Sequence, residues 1–376
     1  MAGGGKRIGR AWLQVLPCLL TCLLLWGCGN GGGDDDRSEP APAAVPGVLS
    51  VSAYYYTEPV ANNDLEWLQR FLEARQRIQD AGANGQFQSY PWSQLEPALG
   101  SYDPQRLNEF NNTMLSAAEQ QFTQLLGLQV INTVAREVPA ELATLEWDDP
   151  AMIGAMEDLL DQLLPAMAGR VRYLSIGNEV DVYFAAGRLD EVTAYRTFVR
   201  AVQDYLSTRL PEVQVGITVT AGAWLGPQVQ TWLDLTADSD VIITTYYPLH
   251  SDFSVRPPNT VQADFPALLS LVTDRPWVLQ EVGYPASEVG ASSEALQAEF
   301  VHQVFAAWRN AEGRIPFLNW FLLHDLSSEL VAQLVLYYGV DDERFTAYLD
   351  SLGLRNRDNT DKAAWSAFVE EAAGWR

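Results

Sequence analysis

Two glutamates in this 376-residue chain directly follow apolar runs, at positions where β-strands would end. Glu179 ends the run Tyr173-Leu-Ser-Ile-Gly-Asn-Glu, and Glu281 ends the run Trp277-Val-Leu-Gln-Glu. Because side chains alternate between the two faces of a strand, the small residues two and four positions before Glu179 share its face and leave room beside its carboxylate. A single glutamate of this kind is most often a solvated or salt-bridged group. Two at matching strand ends indicate a shared site.

Glycoside hydrolysis requires a pair of facing carboxyl groups. One must be protonated so that it can donate to the leaving oxygen, and the other must be ionised so that it can attack the anomeric carbon. The repulsion between them helps to hold their pKa values apart. If Glu179 and Glu281 form such a pair in a retaining enzyme, their carboxyl groups should lie about 5 Å apart, whereas ~8–9 Å would indicate inversion.

The elements that would position these glutamates alternate between strands and helices. Leu65, Leu68, Leu72 and Ile78 keep helical spacing, as do Leu296, Phe300, Val304 and Trp308, with Asn63 or Asp64 and Ser292 or Ser293 as N-caps. Apolar, β-branched stretches predict eight strands: Val48–Tyr54, Asn84–Ser89, Leu128–Thr133, Val171–Glu179, Val213–Thr220, Val241–Tyr247, Trp277–Glu281 and Ile315–Phe321.

This order predicts an α/β fold, a single (β/α)8 TIM barrel, in which active-site residues lie at the carboxyl ends of the strands. Glu179 would end strand four and Glu281 strand seven, so both would reach the same rim. The alternative, a doubly wound sheet, normally has a glycine-rich first turn, and the sequence contains none.

Composition narrows the possible partners. The formal charge of -24 repels phosphate backbones, which argues against nucleic acid. The abundant aromatic residues (12 Trp, 15 Tyr and 14 Phe) suit stacking on sugar rings, so we expect a carbohydrate substrate. The three histidines are far apart, no cysteine follows Cys28, and P-loop, GxGxxG and GxSxG motifs are missing, so we expect no metal and no cofactor.

The amino terminus has the features of a bacterial lipoprotein signal. Lys6, Arg7 and Arg10 precede a 16-residue apolar run that is short for a membrane span and leads to Gly27-Cys28. We therefore predict a signal peptide over residues 1–27, lipid attachment at Cys28, a flexible linker over 28–47 and a catalytic domain over 48–376. The protein would be extracytoplasmic and membrane-bound only through its lipid. An ordinary signal or an uncleaved anchor is the alternative, and neither the membrane nor any protein partner is specified.

Two segments resemble a known group of enzymes. Gly177-Asn178-Glu179, together with Glu281-Val-Gly-Tyr284-Pro285, resembles clan A of the glycoside hydrolases, which are retaining enzymes on a (β/α)8 barrel. Within that clan, the segment from Asp240 to His250 and the segment from Gln280 to Pro285 are most similar to the endo-β-1,4-galactanases. The resemblance runs from about strand two to strand eight.

The resemblance implies roles for individual residues. Glu179 would be the general acid/base and Glu281 the nucleophile, while Asn178 would bind the 2-hydroxyl of the sugar. Tyr247, which has the same strand parity as Thr245, would hydrogen-bond Glu281, in preference to its neighbour Tyr246. Trp320 would form the floor of the subsite that holds the cleaved sugar, with core packing as an equal alternative.

Strand two leads into Trp92-Ser-Gln-Leu-Glu96-Pro, which resembles a segment of many clan members. We interpret it mainly as structural, with Trp92 as a further candidate for substrate contact and Glu96 outside the cleft. The sequence also departs from the clan pattern. Gln86-Phe87-Gln88 occupies the stretch where an arginine is expected, and Thr245 replaces a histidine on strand six. After strand three, Asn132 and Arg136 stand where a histidine is expected.

These departures leave two alternatives to a retaining β-glycosidase. One is a barrel that has lost catalysis and binds glycans at the surface, although keeping both glutamates, Asn178 and Tyr247 argues against such decay. The other is a transglycosylase on the same fold. The sugar, its linkage and endo or exo action are not specified by the sequence.

Overall fold

In the computed structural model, which describes residues 47–375, a ring of parallel strands is surrounded by helices. The predicted (β/α)8 barrel is therefore confirmed. The strands are β1 Val48–Val51, β2 Gly85–Pro91, β3 Thr123–Asn132, β4 Ala135–Arg136, β5 Val171–Asn178, β6 Gln214–Gly216, β7 Thr218–Thr220, β8 Ile242–Tyr246, β9 Trp277–Val282 and β10 Phe317–Trp320. The predicted signal peptide, Cys28 and all of the predicted linker except Gly47 lie outside the described residues.

The ring contains eight strand positions, although ten strands are distinguished. β6 and β7 are two halves of strand five, interrupted at Ile217, and they pair with β5 and β8 respectively. The short β4 is an antiparallel addition to β3 at the mouth of the barrel. Strand three begins at Thr123, five residues before its predicted start at Leu128.

Helices connect the strands and cover the outside of the barrel. Their bounds are α1 Asp64–Asp80, α2 Trp92–Leu95, α3 Pro104–Glu119, α4 Pro150–Met167, α5 Val180–Ala185, α6 Val192–Ser207, α7 Ala221–Trp224, α8 Val229–Leu235, α9 Val261–Leu271, α10 Glu294–Asn310, α11 Ser328–Tyr338, α12 Glu343–Asp350 and α13 Ala363–Ala373. Short 3-10 turns occur at Ala140–Leu142, Leu189–Glu191, Pro258–Thr260 and Glu288–Gly290. None of the helices within 47–375 is both long and apolar enough to cross a bilayer.

Both N-cap predictions are confirmed by hydrogen bonds. The Asn63 side chain accepts from the Glu66 amide, and the Ser293 hydroxyl accepts from the Leu296 amide, so each satisfies an amide that the first turn leaves unpaired. The leucine pattern of α1, however, does not mark its core face, because Leu65 and Leu72 are 65% and 43% exposed.

The inside of the barrel has an apolar lower part and a polar layer under the mouth. The apolar part consists of Phe87, Leu125, Tyr173, Val241, Ile243, Val278 and Phe317. In the layer above it, the Ser175 and Thr218 hydroxyls lie 2.6 Å apart and Thr218 donates to Gln280 Oε1 at 2.7 Å. This buried network links β5, β7 and β9, so it fixes the strands whose ends carry the two glutamates.

The segment after β10 folds back over the mouth of the barrel. We call Ser328–Asp350, which contains α11 and α12, the C-terminal arm. Its apolar side chains form a separate cluster with residues of the strand ends, among them Tyr54, Tyr247 and Phe321. Arg357 contacts both ends of the arm, through the Ser328 hydroxyl and the Asp350 backbone carbonyl. The mouth is thus partly roofed rather than open.

Candidate active site

Glu179 stands at the very end of β5, in a backbone conformation that few side chains adopt. Its φ of +47° and ψ of +47° lie in the left-handed region, which costs energy for a residue other than glycine and is found most often at functional sites. Gly177, two residues earlier, also has a positive φ, of +83°. A Cβ at Gly177 would collide with the Tyr195 hydroxyl and with Val180, so only glycine fits there.

Two threonine hydroxyls hold the Glu179 carboxylate. Thr245 donates to Oε1 at 2.8 Å and Thr133 donates to Oε2 at 3.1 Å. Thr245 is also the residue of β8 that pairs in register with Glu281 of β9. One threonine therefore touches the first glutamate and is the strand neighbour of the second, which brings the two predicted residues together at one rim.

The Glu281 carboxylate accepts a hydrogen bond from the Tyr247 hydroxyl at 2.6 Å, the contact expected from the sequence. The neighbouring tyrosine points to the outside of the barrel, where the Tyr246 hydroxyl donates to Asp264 of α9 at 2.9 Å. Parity along strand six therefore separates the two tyrosines as predicted.

Asn178 connects the two halves of the site. Its Oδ1 accepts from Gln280 Nε2 at 2.7 Å, and its Nδ2 donates to Asn132 Oδ1 at 3.2 Å and to Thr133 Oγ1 at 3.3 Å. The residue before each glutamate is thus hydrogen-bonded to the residue before the other. This cross-barrel link restricts movement of the two carboxylates relative to each other.

The electrostatics assign different protonation to the two carboxyl groups. Burial first, and then the negative charges of Glu281 and Asp181, raise the pKa of Glu179 to about 8, against the opposing effect of the two threonine hydrogen bonds. Burial also raises the pKa of Glu281, but hydrogen bonds from Tyr247 and Gln280 stabilise its charged form. At neutral pH the arrangement favours a protonated Glu179 beside an ionised Glu281.

Two tyrosines of the C-terminal arm, Tyr338 and Tyr348, belong to this site and were missed from the sequence. Burial first, and then the charges of both glutamates, raise the pKa of each hydroxyl, so both remain neutral donors. The Tyr348 ring stands edge-on to the Tyr247 ring with centroids 5.5 Å apart. No local motif marks them. The only sequence signal is the aromatic content of the segment after strand eight.

Of the two alternatives for Trp320, the floor of the sugar subsite is wrong, and core packing is what the structure shows. Trp320 is fully buried and packs outward against Phe300 of α10 and Phe368 of α13, with ring centroids 5.7 and 6.3 Å apart. Its strand neighbour Asn319 faces inward, where it accepts from the Ser50 hydroxyl at 2.7 Å. The half-buried aromatic residue at the end of strand eight is Phe321, whose ring meets that of Tyr247 edge-on at 6.4 Å.

Trp92 is not accessible to a substrate either, which corrects the second tryptophan prediction. It is fully buried, and its indole nitrogen donates to Glu96 Oε2 at 2.7 Å. Glu96 Oε1 accepts from the Gly100 amide at 2.6 Å, so this carboxylate closes the turn after strand two, as its structural interpretation predicted. Gln86 faces outward, where its side-chain oxygen accepts a hydrogen bond from Arg75 of α1 at 3.3 Å.

No group of three or more His, Cys, Asp or Glu side chains within residues 47–375 could hold a metal ion. What the site can do follows from its carboxylates and hydroxyls: proton transfer at Glu179, nucleophilic attack from Glu281, and hydrogen bonding to a polyhydroxylated ligand.

Comparison with known proteins defines the fold. No protein-family model matches the chain, and no curated protein matches its sequence. Among solved structures, the exo-β-1,4-mannosidase Op5Man5 from Opitutaceae bacterium strain TAV5 superposes with a TM-score of 0.66 at 17% identity, over 87% of this chain. GH5_18 from Streptomyces cattleya, in complex with GlcNAc, gives 0.63 at 18% identity over 89% of this chain and 81% of its own.

Xylanase 10B from Thermotoga maritima superposes with a TM-score of 0.58 at 13% identity, over 88% of this chain and 96% of the xylanase. The present chain spans 59% of the length of the mannosidase. At these identities the likeness establishes the architecture, the (β/α)8 barrel, and leaves activity to be argued from the site.

Proposed function

We propose that this protein is a retaining β-glycoside hydrolase of clan A that cleaves a polysaccharide or oligosaccharide by double displacement. The observation that carries the proposal is the pairing of a carboxyl group whose pKa is raised to about 8, Glu179, with a carboxylate held by a tyrosine hydroxyl, Glu281. These are the states that an acid/base and a nucleophile need. The fold shared with a mannosidase and a xylanase supports it.

The mechanism would divide between the two strand ends. Glu281 attacks the anomeric carbon while Glu179 gives its proton to the leaving oxygen, and a covalent glycosyl-enzyme forms with inversion. Glu179, now ionised, then removes a proton from water, which displaces Glu281 with a second inversion. The Tyr247 hydroxyl orients the nucleophile, and Asn178, which is hydrogen-bonded to the residue before Glu281, would offer its amide to a sugar hydroxyl group.

A screen of 4-nitrophenyl β-glycosides tests the proposal, with galactoside, mannoside, xyloside and glucoside compared directly. The galactanase-like motifs support the first of these sugars, and the name of one structural neighbour supports the second. Release of nitrophenol together with a first sugar product of β configuration by proton NMR is expected. Product of α configuration would contradict retention. A folded protein that binds glycans and hydrolyses no member would indicate a lapsed enzyme, and glycosyl transfer to added acceptors would indicate a transglycosylase.

The pKa of Glu179 sets the expected alkaline limit of activity. Because Glu179 can donate only while protonated, kcat/KM should fall as the pH rises through about 8. Asp181→Asn removes a negative charge that helps to raise this pKa, so its alkaline limit should move to lower pH. Asp190→Asn, at an exposed position nine residues further along the chain, is the control. Identical pH–rate profiles for Asp181→Asn and wild type would contradict this electrostatic coupling.

Gly283 lets Tyr247 approach the nucleophile closely. A Cβ there would lie 2.6 Å from Tyr247 Cε1 and 2.8 Å from the Phe321 carbonyl oxygen. Gly283→Ala should therefore displace Tyr247 and lower kcat by ~10²-fold, the scale of a 1 Å misplacement. Tyr247→Phe separates loss of the hydroxyl from displacement of the ring, and Gly154→Ala, in open space on α4, is the control. A Gly283→Ala enzyme with unchanged kcat would refute this argument.

We further propose that Cys28 carries the lipid anchor and that the enzyme is extracytoplasmic. The basic start, the short apolar run and the Gly27-Cys28 junction support it. In bacterial cells given a fatty-acid probe, the wild type should be labelled and sediment with membranes, whereas Cys28→Ser should lose the label. Cys22→Ser, within the apolar run, should keep it. Equal labelling of wild type and Cys28→Ser would contradict the proposal.

A further inference from the structure

The C-terminal arm crosses the mouth of the barrel. It begins at Ser328, eight residues after strand eight ends at Trp320. At the end of α11 the Tyr337 hydroxyl donates to the Asn132 carbonyl at 2.7 Å, on the far side of strands one and two. The chain then returns through α12, where Phe345 packs on Phe253 of the loop after β8 with centroids 4.8 Å apart. The same loop is tied by the Arg344–Asp252 ion pair.

The arm reaches both glutamates, through Tyr338 beside Thr133, the threonine that bonds Glu179, and through Tyr348 on the nucleophile side. Tyr348 packs edge-on against Tyr247, the residue that bonds Glu281, and Tyr247 packs in turn on Phe321. Tyr54, at the end of strand one, belongs to the same apolar cluster as the arm. The rim around Glu281 is therefore bounded by side chains of strands one, six and eight and by the arm itself.

The chemistry of the proposed reaction indicates which sugars these side chains would exclude. The sugar whose anomeric carbon reacts lies at Glu281, whereas the leaving group departs on the side of the proton donor, Glu179. Further sugars on the non-reducing side of the reacting unit would have to pass through the space that Phe321, Tyr348 and the arm fill. Sugars of the leaving group extend past Glu179, toward the ends of β5 and β7.

We infer that the C-terminal arm turns the cleft into a pocket for one sugar, so that the enzyme acts as an exo-glycosidase on the non-reducing end of its substrate. The inference rests on the proposed function and defines the substrate class. Tyr338 and Tyr348, which the arm places at the mouth of the barrel, would face the terminal sugar as hydrogen-bond donors and set its fit.

The experiment uses β-1,4-linked mannotetraose, galactotetraose and xylotetraose, each labelled with 2-aminobenzamide at the reducing end. Removal of single sugars from the other end should give labelled trisaccharide as the first labelled product, followed by disaccharide. A 4-O-benzyl group on the non-reducing terminal sugar should slow cleavage at least 100-fold, because the pocket has no room for it. Labelled mono- and disaccharide from the start, or equal cleavage of capped and uncapped chains, would overturn exo action while leaving the hydrolase intact.

Variants of the arm test its part directly. Tyr337→Phe, which loses the hydrogen bond to strand three, should raise cleavage of the capped chain at least 10-fold over wild type. Tyr338→Ala and Tyr348→Ala should each lower kcat/KM on the 4-nitrophenyl glycoside of a single sugar at least 10-fold. Leu336→Ala, at a side chain 79% exposed on the same helix, is the matched control and should change neither.

The failure of this inference can be told from failure of the proposed function. If the aryl glycosides and all three tetrasaccharides remain intact with a protein of normal circular dichroism and Tm, the hydrolase itself is refuted, and exo action with it. If hydrolysis occurs and Tyr338→Ala, Tyr348→Ala and Tyr337→Phe all behave like Leu336→Ala, the arm does not shape the pocket.

Discussion

Replacing Glu281 by alanine is expected to reduce kcat by at least ~10⁴-fold, the scale seen when a nucleophile is removed from a covalent mechanism. The variant lacks the oxygen that would bond to the anomeric carbon, whereas the hydroxyl and amide groups of Tyr247, Tyr348 and Asn178 remain. Binding of the substrate should therefore survive. Isothermal titration with a sugar that is not cleaved measures binding, and the rate of hydrolysis of its aryl glycoside measures catalysis.

Glu281→Gln is the control that separates chemistry from structure. It keeps the shape of the side chain and an oxygen that can accept from the Tyr247 hydroxyl, but an amide is a poor nucleophile. Glu281→Gln should therefore be as inactive as Glu281→Ala and as well folded as wild type. If the glutamine variant turned over normally while alanine lost activity together with its folded state, Glu281 would be a structural residue of the rim.

The barrel and its pair of glutamates could be predicted because short local stretches of the sequence indicate both. Apolar runs of strand length that end in a carboxylate, as at Glu179 and Glu281, say where a strand ends and which rim it reaches. Parity also decided between Tyr246 and Tyr247, because Thr245 and the apolar residues before it distinguish the two faces. These predictions depend on short stretches of chain and on one fold-level rule.

Strand eight shows where such reasoning fails. In Phe317-Leu-Asn-Trp-Phe, aromatic residues stand on both faces, so hydrophobicity does not say which side is inside. The structure decides through Asn319, which hydrogen-bonds to the Ser50 hydroxyl and to the Gln280 carbonyl oxygen inside the barrel. That choice turns Trp320 outward and leaves Phe321 at the mouth. The partners are 269 and 39 residues away, and no local pattern reports them.

Helix α1 fails for a related reason. Its leucines suggested the core face, yet Arg70 and Arg75 are buried while Leu65 and Leu72 are exposed. The guanidinium groups can be buried because they find distant acceptors: Arg70 donates to the Pro59 carbonyl at 2.6 Å, and Arg75 donates to Gln120 at 2.7 Å. Tertiary hydrogen bonds of this kind override the periodicity of a helix.

Replacing Glu179 by alanine should have a different signature, which identifies it as the acid/base. With an activated aryl leaving group that needs no proton, the first step should proceed, so the glycosyl-enzyme accumulates after a burst of nitrophenol. The second step should slow by ~10²–10⁴-fold, the range of general base catalysis, because no carboxylate activates water. With a poor leaving group, such as an alkyl glycoside, the first step should fail as well.

Azide should restore turnover of Glu179→Ala, because this small anion needs no general base and can enter the space that the carboxylate leaves. Its product should be a β-glycosyl azide, since attack on the covalent intermediate adds a second inversion to the first. Glu281→Ala is the matched control: azide would there displace the aryl group directly, with one inversion, and give the α-glycosyl azide. Proton NMR distinguishes the two products. The same azide configuration from both variants, or no response in either, would contradict the assignment of Glu179 as acid/base and Glu281 as nucleophile.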